Sequence, residues 1–285
     1  MPNPMKSLLP LAAGLALGAW AGRRARPQPP VEDPARQAQL QQQMAQLKEG
    51  YEKQDRIRRD FTANVSHELK TPLTSISGYA EIIREGMVKS EDVGRFAGKI
   101  YEEAQRLITL VEDILNLSHL DEGAPGQERR QGIDLYALCA RAVARLEEAA
   151  RQRGIAIALT GSRCRVDGAE KLLEEIIFNL CDNAIKYNEE NGKVEVAVTR
   201  EPRWVVLTVS DTGIGIPPGE TDRVFERFYR VDKSHSKEIG GTGLGLSIVK
   251  HAAAYHDAKI QVDSQLGRGT RVQVRFHPSG EEGQP

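Results

Sequence analysis

The sequence predicts three kinds of structure in one chain: an N-terminal membrane anchor, an all-α hairpin that dimerises into a four-helix bundle, and a C-terminal α/β two-layer sandwich. Three observations carry this expectation. An uncharged apolar run, Ser7 to Gly22, is followed at once by Arg23, Arg24 and Arg26. From Leu40 onward apolar residues recur at helical spacing through two long segments. Beyond a polar, glycine-bearing stretch, Asp121 to Gly132, helical and strand patterns alternate.

The apolar run is shorter than the roughly 20 residues that cross a bilayer untilted, so it reads as a marginal span. Lys6 precedes it and three arginines follow, a bias that places everything after Arg26 in the cytoplasm. A cleaved signal peptide is the competing reading, and the arginines on the far side of the run argue against it. On this reading the few residues ahead of the run hold no extracytoplasmic domain. The expected partition is an anchor with basic flank at 1–30, a coiled-coil stalk at 31–57, a helical hairpin at 58–122, a linker at 123–132, the sandwich at 133–278 and a tail at 279–285.

In the stalk, Leu40, Met44, Leu47 and Tyr51 alternate spacings of four and three, the seam of a helix that pairs with another helix. The pattern continues through Ile57, Phe61 and Val65, which predicts one helix across this region, bent near Pro72, whose nitrogen cannot donate to the ladder. A second helix is expected from about Glu91 to Leu120, with Ile100, Ala104, Leu107, Ile108, Leu110, Val111, Ile114, Leu115 and Leu117 forming a broad apolar face. One such hairpin has too little core to stand alone. Pairing two buries the faces in a four-helix bundle and predicts a homodimer.

After the linker, helices are expected at Asp134 to Arg153, Ala169 to Tyr187 and Gly245 to His256. Strands are expected at Ile155 to Leu159, Arg163 to Val166, Lys193 to Thr199, Trp204 to Ser210, Lys259 to Ser264 and Thr270 to Phe276. That many strands against three helices suits a mostly antiparallel sheet covered on one face. A net charge of -1 over 285 residues gives no electrostatic ground for direct nucleic-acid binding. Cys139, Cys164 and Cys181 are odd in number, widely spaced and set among apolar residues, which suits reduced core thiols.

Several segments carry chemistry. Glu175, Asn179 and Asn183 in EEIIFNLCDNAIKY stand four apart on one predicted helix, beside an apolar face of Ile176, Ile177, Leu180, Ala184 and Ile185. Asparagine is a mediocre helix former, and two in register suggest oxygen ligands for a hard cation such as Mg²⁺. Asp211 ends an apolar strand and opens DTGIGIP, with Gly213 and Gly215. In GGTGLGLSIVK, Gly241, Gly243 and Gly245 precede a helix, and bare amides at a helix N-terminus form an anion site. Phe61 to Tyr79 reads FTANVSHELKTPLTSISGY, with His67 and Glu68 adjacent and Thr71 one turn on.

Phe61 to Tyr79 resembles the phosphoacceptor box of sensor histidine kinases, nearest in type to phosphate-regulon sensors. The later boxes resemble those of the ATPase superfamily that histidine kinases share with gyrase-type topoisomerases, the 90-kDa chaperones and mismatch-repair ATPases. The resemblance implies autophosphorylation by ATP on His67, with Glu68 accepting the ring proton, Thr71 positioning a water for regulator dephosphorylation, and a response regulator as partner. It implies that Asn183, with Asn179 and Glu175, serves Mg²⁺, and that Lys186 and Tyr187 lie along the nucleotide. Asp211 would take the adenine amino group, with Gly213 and Gly215 admitting backbone close to the base. Phe228 of FERFY would flank a lid, Gly241, Thr242, Gly243, Leu244, Gly245 and Leu246 would hold the triphosphate, and Thr270 of GRGT would meet the adenine through water. Asp257 and Ala258 depart from the glycine pair frequent in the family, a change expected to affect a turn. A gyrase- or chaperone-like ATPase lacks the phosphoacceptor helix, which discriminates against that alternative.

Overall fold

The computed structural model describes residues 34–121, 128–231 and 241–280. The apolar run at 7–22 and Gly240 lie outside the described residues. Among the described residues, no helix is long and apolar enough to cross a membrane. The chain divides into two compact units, Met1–Arg56 and Ile57–Pro285.

Helix α1 runs from Pro34 to Arg84 and passes through Pro72 as one element, as the continuous apolar periodicity predicts. Before Arg56, the predicted seam residues Met44, Leu47 and Tyr51 are exposed on the single chain. A 3-10 turn at Ser90–Asp92 leads into α2, Val93–Asp121. Tyr79 of α1 meets Phe96 of α2 edge-on, with ring centroids 5.7 Å apart.

The broad apolar face expected of α2 is two faces. Leu110, Leu117 and Leu120 are buried, whereas Ile108, Val111 and Leu115 are exposed. The spacings explain the division: seven and three residues put the first set on one stripe, and three and four put the second on another. The first stripe packs against the C-terminal domain, and the second is left open on the monomer. Burying a leucine completely contributes about 1.5–3 kcal/mol, so the first stripe is a substantial attachment.

Among the described residues, the C-terminal domain places three helices against a five-stranded sheet. The helices are α3 (Leu135–Gln152), α4 (Glu170–Lys186) and α5 (Gly245–Tyr255). The strands are β1 (Arg130–Asp134), β2 (Ala156–Gly161), β3 (Arg165–Gly168), β4 (Lys193–Arg200), β5 (Val205–Asp211), β6 (Lys259–Gln265) and β7 (Gly269–Phe276). The large sheet has the order β2-β4-β5-β7-β6, parallel between β2 and β4 and antiparallel elsewhere, in agreement with a mostly antiparallel sandwich. Strands β1 and β3 form a separate antiparallel pair. The expected linker therefore ends early: its last residues, Arg130 to Gly132, belong to β1, because Asp167 accepts the Gly132 amide at 2.8 Å and the pair gives these polar residues their backbone partners.

The core is continuous. Ile176, Ile177 and Leu180 of α4 and Ile248 and Val249 of α5 are buried with Val196, Val198 and Leu207 of the sheet. Asp134 caps α3 by accepting the Ala137 amide at 3.1 Å. The three cysteines are buried and unbonded to one another, as their apolar settings predict. Strand β5, central in the sheet, delivers Asp211 at its end, and α4 and α5 pack side by side, which brings the asparagine stripe next to the start of α5.

Candidate active site

His67 stands on α1 with a side chain 78% exposed, open to an approaching reactant. Its Nδ1 lies 4.0 Å from Glu68 Oε1, beyond hydrogen-bond range, and Glu68 Oε2 lies 3.5 Å from the Arg230 guanidinium. The Thr71 hydroxyl donates to the His67 carbonyl at 3.2 Å, one turn away. The three residues thus share one short stretch of helix, with the carboxylate turned toward the C-terminal domain.

On α4, Glu175, Asn179 and Asn183 follow at single-turn spacing. Asn179 Nδ2 donates to the Glu175 carbonyl at 2.9 Å, which fixes the amide plane. Gly245 must be glycine for this arrangement, since a Cβ there would lie 2.7 Å from Asn179 Oδ1 and 3.6 Å from Asn183 Nδ2. Glu175 Oε2 is buried without a hydrogen-bond partner, and burial pushes its carboxyl above the usual range, with the nearby Asp113 adding to that and Lys171 opposing it. Two amides beside a buried, unsatisfied carboxylate oxygen fit the oxygen donor set of a hard cation such as Mg²⁺. Lys186 is held by Asp182 at 2.7 Å.

Asp211 is fixed by backbone. Its Oδ1 accepts the Gly213 amide at 2.9 Å and the Thr270 amide at 3.1 Å, which leaves Oδ2 as the oxygen able to take a donor from a ligand. Burial pushes the carboxyl up, and those two amides pull it back. Gly213 sits where a Cβ would lie 2.1 Å from the Tyr187 carbonyl, so glycine here lets the DTGIGIP turn lie directly on the end of α4. Gly215 belongs to the same turn, and the Ile214 amide donates to Tyr187 O at 3.1 Å. Thr270 acts on Asp211 through its backbone, while its hydroxyl meets Ser264 Oγ at 2.8 Å.

The segment Gly241–Gly245 closes the site. Leu244 is wholly buried and anchors the loop by packing, and Leu246 lies against the same core. The Thr242 hydroxyl accepts the Leu244 amide at 3.3 Å and donates to Asp113 Oδ2 at 2.7 Å. Tyr187 reaches toward Gly241, whose Cβ would lie 3.2 Å from the phenol oxygen. Phe228, the aromatic expected to flank the lid, adopts φ +61°, a strained setting for a bulky residue. It is held by its amide donating to Gly243 O at 2.9 Å and by a ring contact with Phe61 of α1 at 5.7 Å.

The structure also brings in residues that motif reading missed. Arg230, 8% exposed, joins Glu68 to the Gly241 carbonyl. Its signal was position, one residue beyond FERFY. Asp113 and Asp121 of α2 contact the C-terminal domain, the latter through Arg227 at 2.5 Å and His251 at 3.4 Å. The acidic pair Glu112–Asp113 within the apolar LVEDIL was the available hint for Asp113. Ser264 accepts the Ile216 amide at 2.8 Å and so ties the DTGIGIP turn to β6.

Comparison with known proteins matches the sequence that builds this site to two family models. Residues 57–123 match the His Kinase A (phospho-acceptor) domain, and residues 168–280 match the histidine kinase-, DNA gyrase B-, and HSP90-like ATPase. The chain belongs to the sensor histidine kinases. This histidine kinase is 41% identical over 221 residues to the sensor-like histidine kinase SenX3 of Mycobacterium tuberculosis, covering 77% of the chain and 54% of that protein. It spans about half the length of these curated relatives. Among solved structures it resembles the histidine kinase AdeS of Acinetobacter baumannii, with a TM-score of 0.62 at 24% identity, covering 74% of this chain and 98% of that one. Full-length ShkA in complex with AMPPNP matches with a TM-score of 0.57 at 27% identity, covering 78% of this chain and 47% of that one.

Proposed function

We propose that the protein autophosphorylates His67 with ATP and Mg²⁺ and passes the phosphoryl group to an aspartate of a response regulator. The observation that carries this reading is the presence, in one chain, of an exposed histidine on a phosphoacceptor helix and of an Asp211, double-asparagine and glycine-loop site. The ShkA structure, which holds AMPPNP, supports a nucleotide in such a site.

Asp211 Oδ2 recognises the adenine amino group, and the Asn179 and Asn183 amides serve the cation, which when bound neutralises charge on the phosphates. The amides of Gly241–Gly245 and the start of α5 take the phosphate oxygens. A neutral His67 nitrogen attacks the γ-phosphorus, the bond to the ADP oxygen breaks, and Glu68 takes the proton from the imidazole's other nitrogen. For that transfer Glu68 must leave Arg230 and turn to His67, so the arrangement described here precedes the reaction. Thr71 orients a water for the reverse task, dephosphorylation of the regulator.

The apolar run at 7–22 is proposed to anchor the chain with its catalytic parts in the cytoplasm. The exposed stripe of Ile108, Val111 and Leu115 on α2, together with Met44, Leu47 and Tyr51 on α1, supports a homodimer through a four-helix bundle and stalk. The test is incubation with γ-labelled ATP and Mg²⁺. Acid-labile, base-stable label on the protein, chased onto a receiver domain, is expected; release of free phosphate with no label on the chain overturns the reading.

A further inference from the structure

We propose that Asp113 is a positioning residue that lowers the phosphate affinity of the Gly241–Gly245 loop, by holding the Thr242 hydroxyl as an internal anion while α2 is docked. The proposal deepens the reading of that loop as the triphosphate site. It starts from a hydrogen-bond inventory. A threonine hydroxyl has one proton to give, and the proton of Thr242 goes to Asp113 Oδ2 at 2.7 Å, so it is not free for a phosphate oxygen. The same hydroxyl accepts the Leu244 amide at 3.3 Å, the amide just ahead of the first residue of α5. One carboxylate from α2 therefore controls both the hydroxyl and, through it, the loop that leads into α5.

Charge points the same way. Burial pushes the Asp113 carboxyl above the usual range, the charges of Asp182 and Glu112 add to that, the Thr242 bond and Lys186 oppose it, and Asp113 in turn acts on Glu175. Added phosphate charge at Thr242 meets this carboxylate in a partly buried setting, where repulsion is poorly screened. The side chain has little freedom to retreat, because α2 is fixed on either side of it by Leu110 and Leu117, which are buried in the same core as Leu244. Phosphates enter the loop fully when Asp113 takes a proton or when α2 withdraws. Nucleotide binding is thereby coupled to release of the catalytic domain from the helix that restrains it.

The test measures the affinity of the full chain for ATP-Mg²⁺ and for adenosine by titration calorimetry. Asp113→Asn is expected to bind ATP roughly tenfold more tightly than wild type, the effect of one poorly screened charge contact, with adenosine affinity unchanged. Asp113→Ser, which keeps a partner for the Thr242 hydroxyl without the charge, gives the same gain. Asp113→Glu keeps the wild-type ATP affinity, as does the exposed control Glu112→Gln. Unchanged or weaker ATP binding in both neutral variants overturns the proposal, as does an equal gain for adenosine. Failure of the wild type to bind ATP at all would instead remove the nucleotide reading beneath it.

Discussion

Glu68 and Arg230 stand 3.5 Å apart, and the carboxylate that would take the proton from His67 is paired with a guanidinium of the C-terminal domain instead. This ion pair ties the phosphoacceptor helix to the residue that also donates to Gly241 O. Glu68→Gln removes the base while leaving the loop intact. Its autophosphorylation rate is expected to fall by about 10²–10⁴-fold, with ATP affinity within a factor of two of wild type. A rate near wild type in single-turnover labelling contradicts the role given to Glu68.

Asp211 depends on charge and on orientation. Asp211→Asn can still accept the Gly213 and Thr270 amides through one oxygen, but it presents an NH₂ group where the adenine amino group needs an acceptor. Nucleotide affinity is expected to fall by about 1–3 kcal/mol with the folded state retained. Calorimetry together with circular dichroism checks both halves, and unchanged ATP affinity would contradict the placement of the base at Asp211.

His256 gives the domain a pH dependence of stability. Its Nε2 accepts the Ala169 amide at 3.0 Å, and its Nδ1 lies 2.6 Å from the Ala252 carbonyl, so both contacts are met by a neutral ring protonated on Nδ1. Burial holds its pKa below the ordinary value of 6.5, with Arg129 acting in the same direction and the Ala252 bond and Asp257 opposing. The unfolded chain binds a proton near pH 6.5 while the folded one does not. The stabilisation is therefore complete above that pH and is lost as pH falls from there through the folded pKa. His251 is lowered too, by burial first and then by Arg227, and adds to the slope. Urea midpoints at pH 7.5 and 5.5 are expected to differ, and to differ less in His256→Gln; an identical pH slope in the variant contradicts this assignment.

Asp257 occupies a left-handed position at φ +52°, two residues past the end of α5. The Ala258 amide donates to Ala253 O at 2.9 Å and the Asp257 amide to Ala254 O at 3.1 Å, the double bond of a glycine-type helix ending. Asp257→Gly is expected to stabilise the domain by about 0.5–1 kcal/mol, measured as a higher thermal midpoint with unchanged nucleotide affinity. A lower midpoint contradicts the strain argument.

The sandwich was legible because its signals were local. Glu175, Asn179 and Asn183 mark one stripe of α4, and Asp211 and the glycines lie at element ends where the pattern itself changes. Strand β1 was hidden because RQGID has no apolar alternation and gains its strand character from pairing with β3. Spacing separates the two apolar stripes of α2, but that Leu117 is buried against another domain while Val111 stays exposed is not written in it. Arg230 and Asp113 were missed for a related reason: each acts across 11 or more residues of sequence, through a tertiary contact rather than a motif.

The central claim is that His67 receives the phosphoryl group from a nucleotide held by the C-terminal domain. It is tested most directly by labelling wild type and His67→Gln with γ-labelled ATP and Mg²⁺ while measuring ATP binding to both. The expected result is complete loss of acid-labile label in the variant with nucleotide affinity preserved; label that persists in His67→Gln contradicts the account.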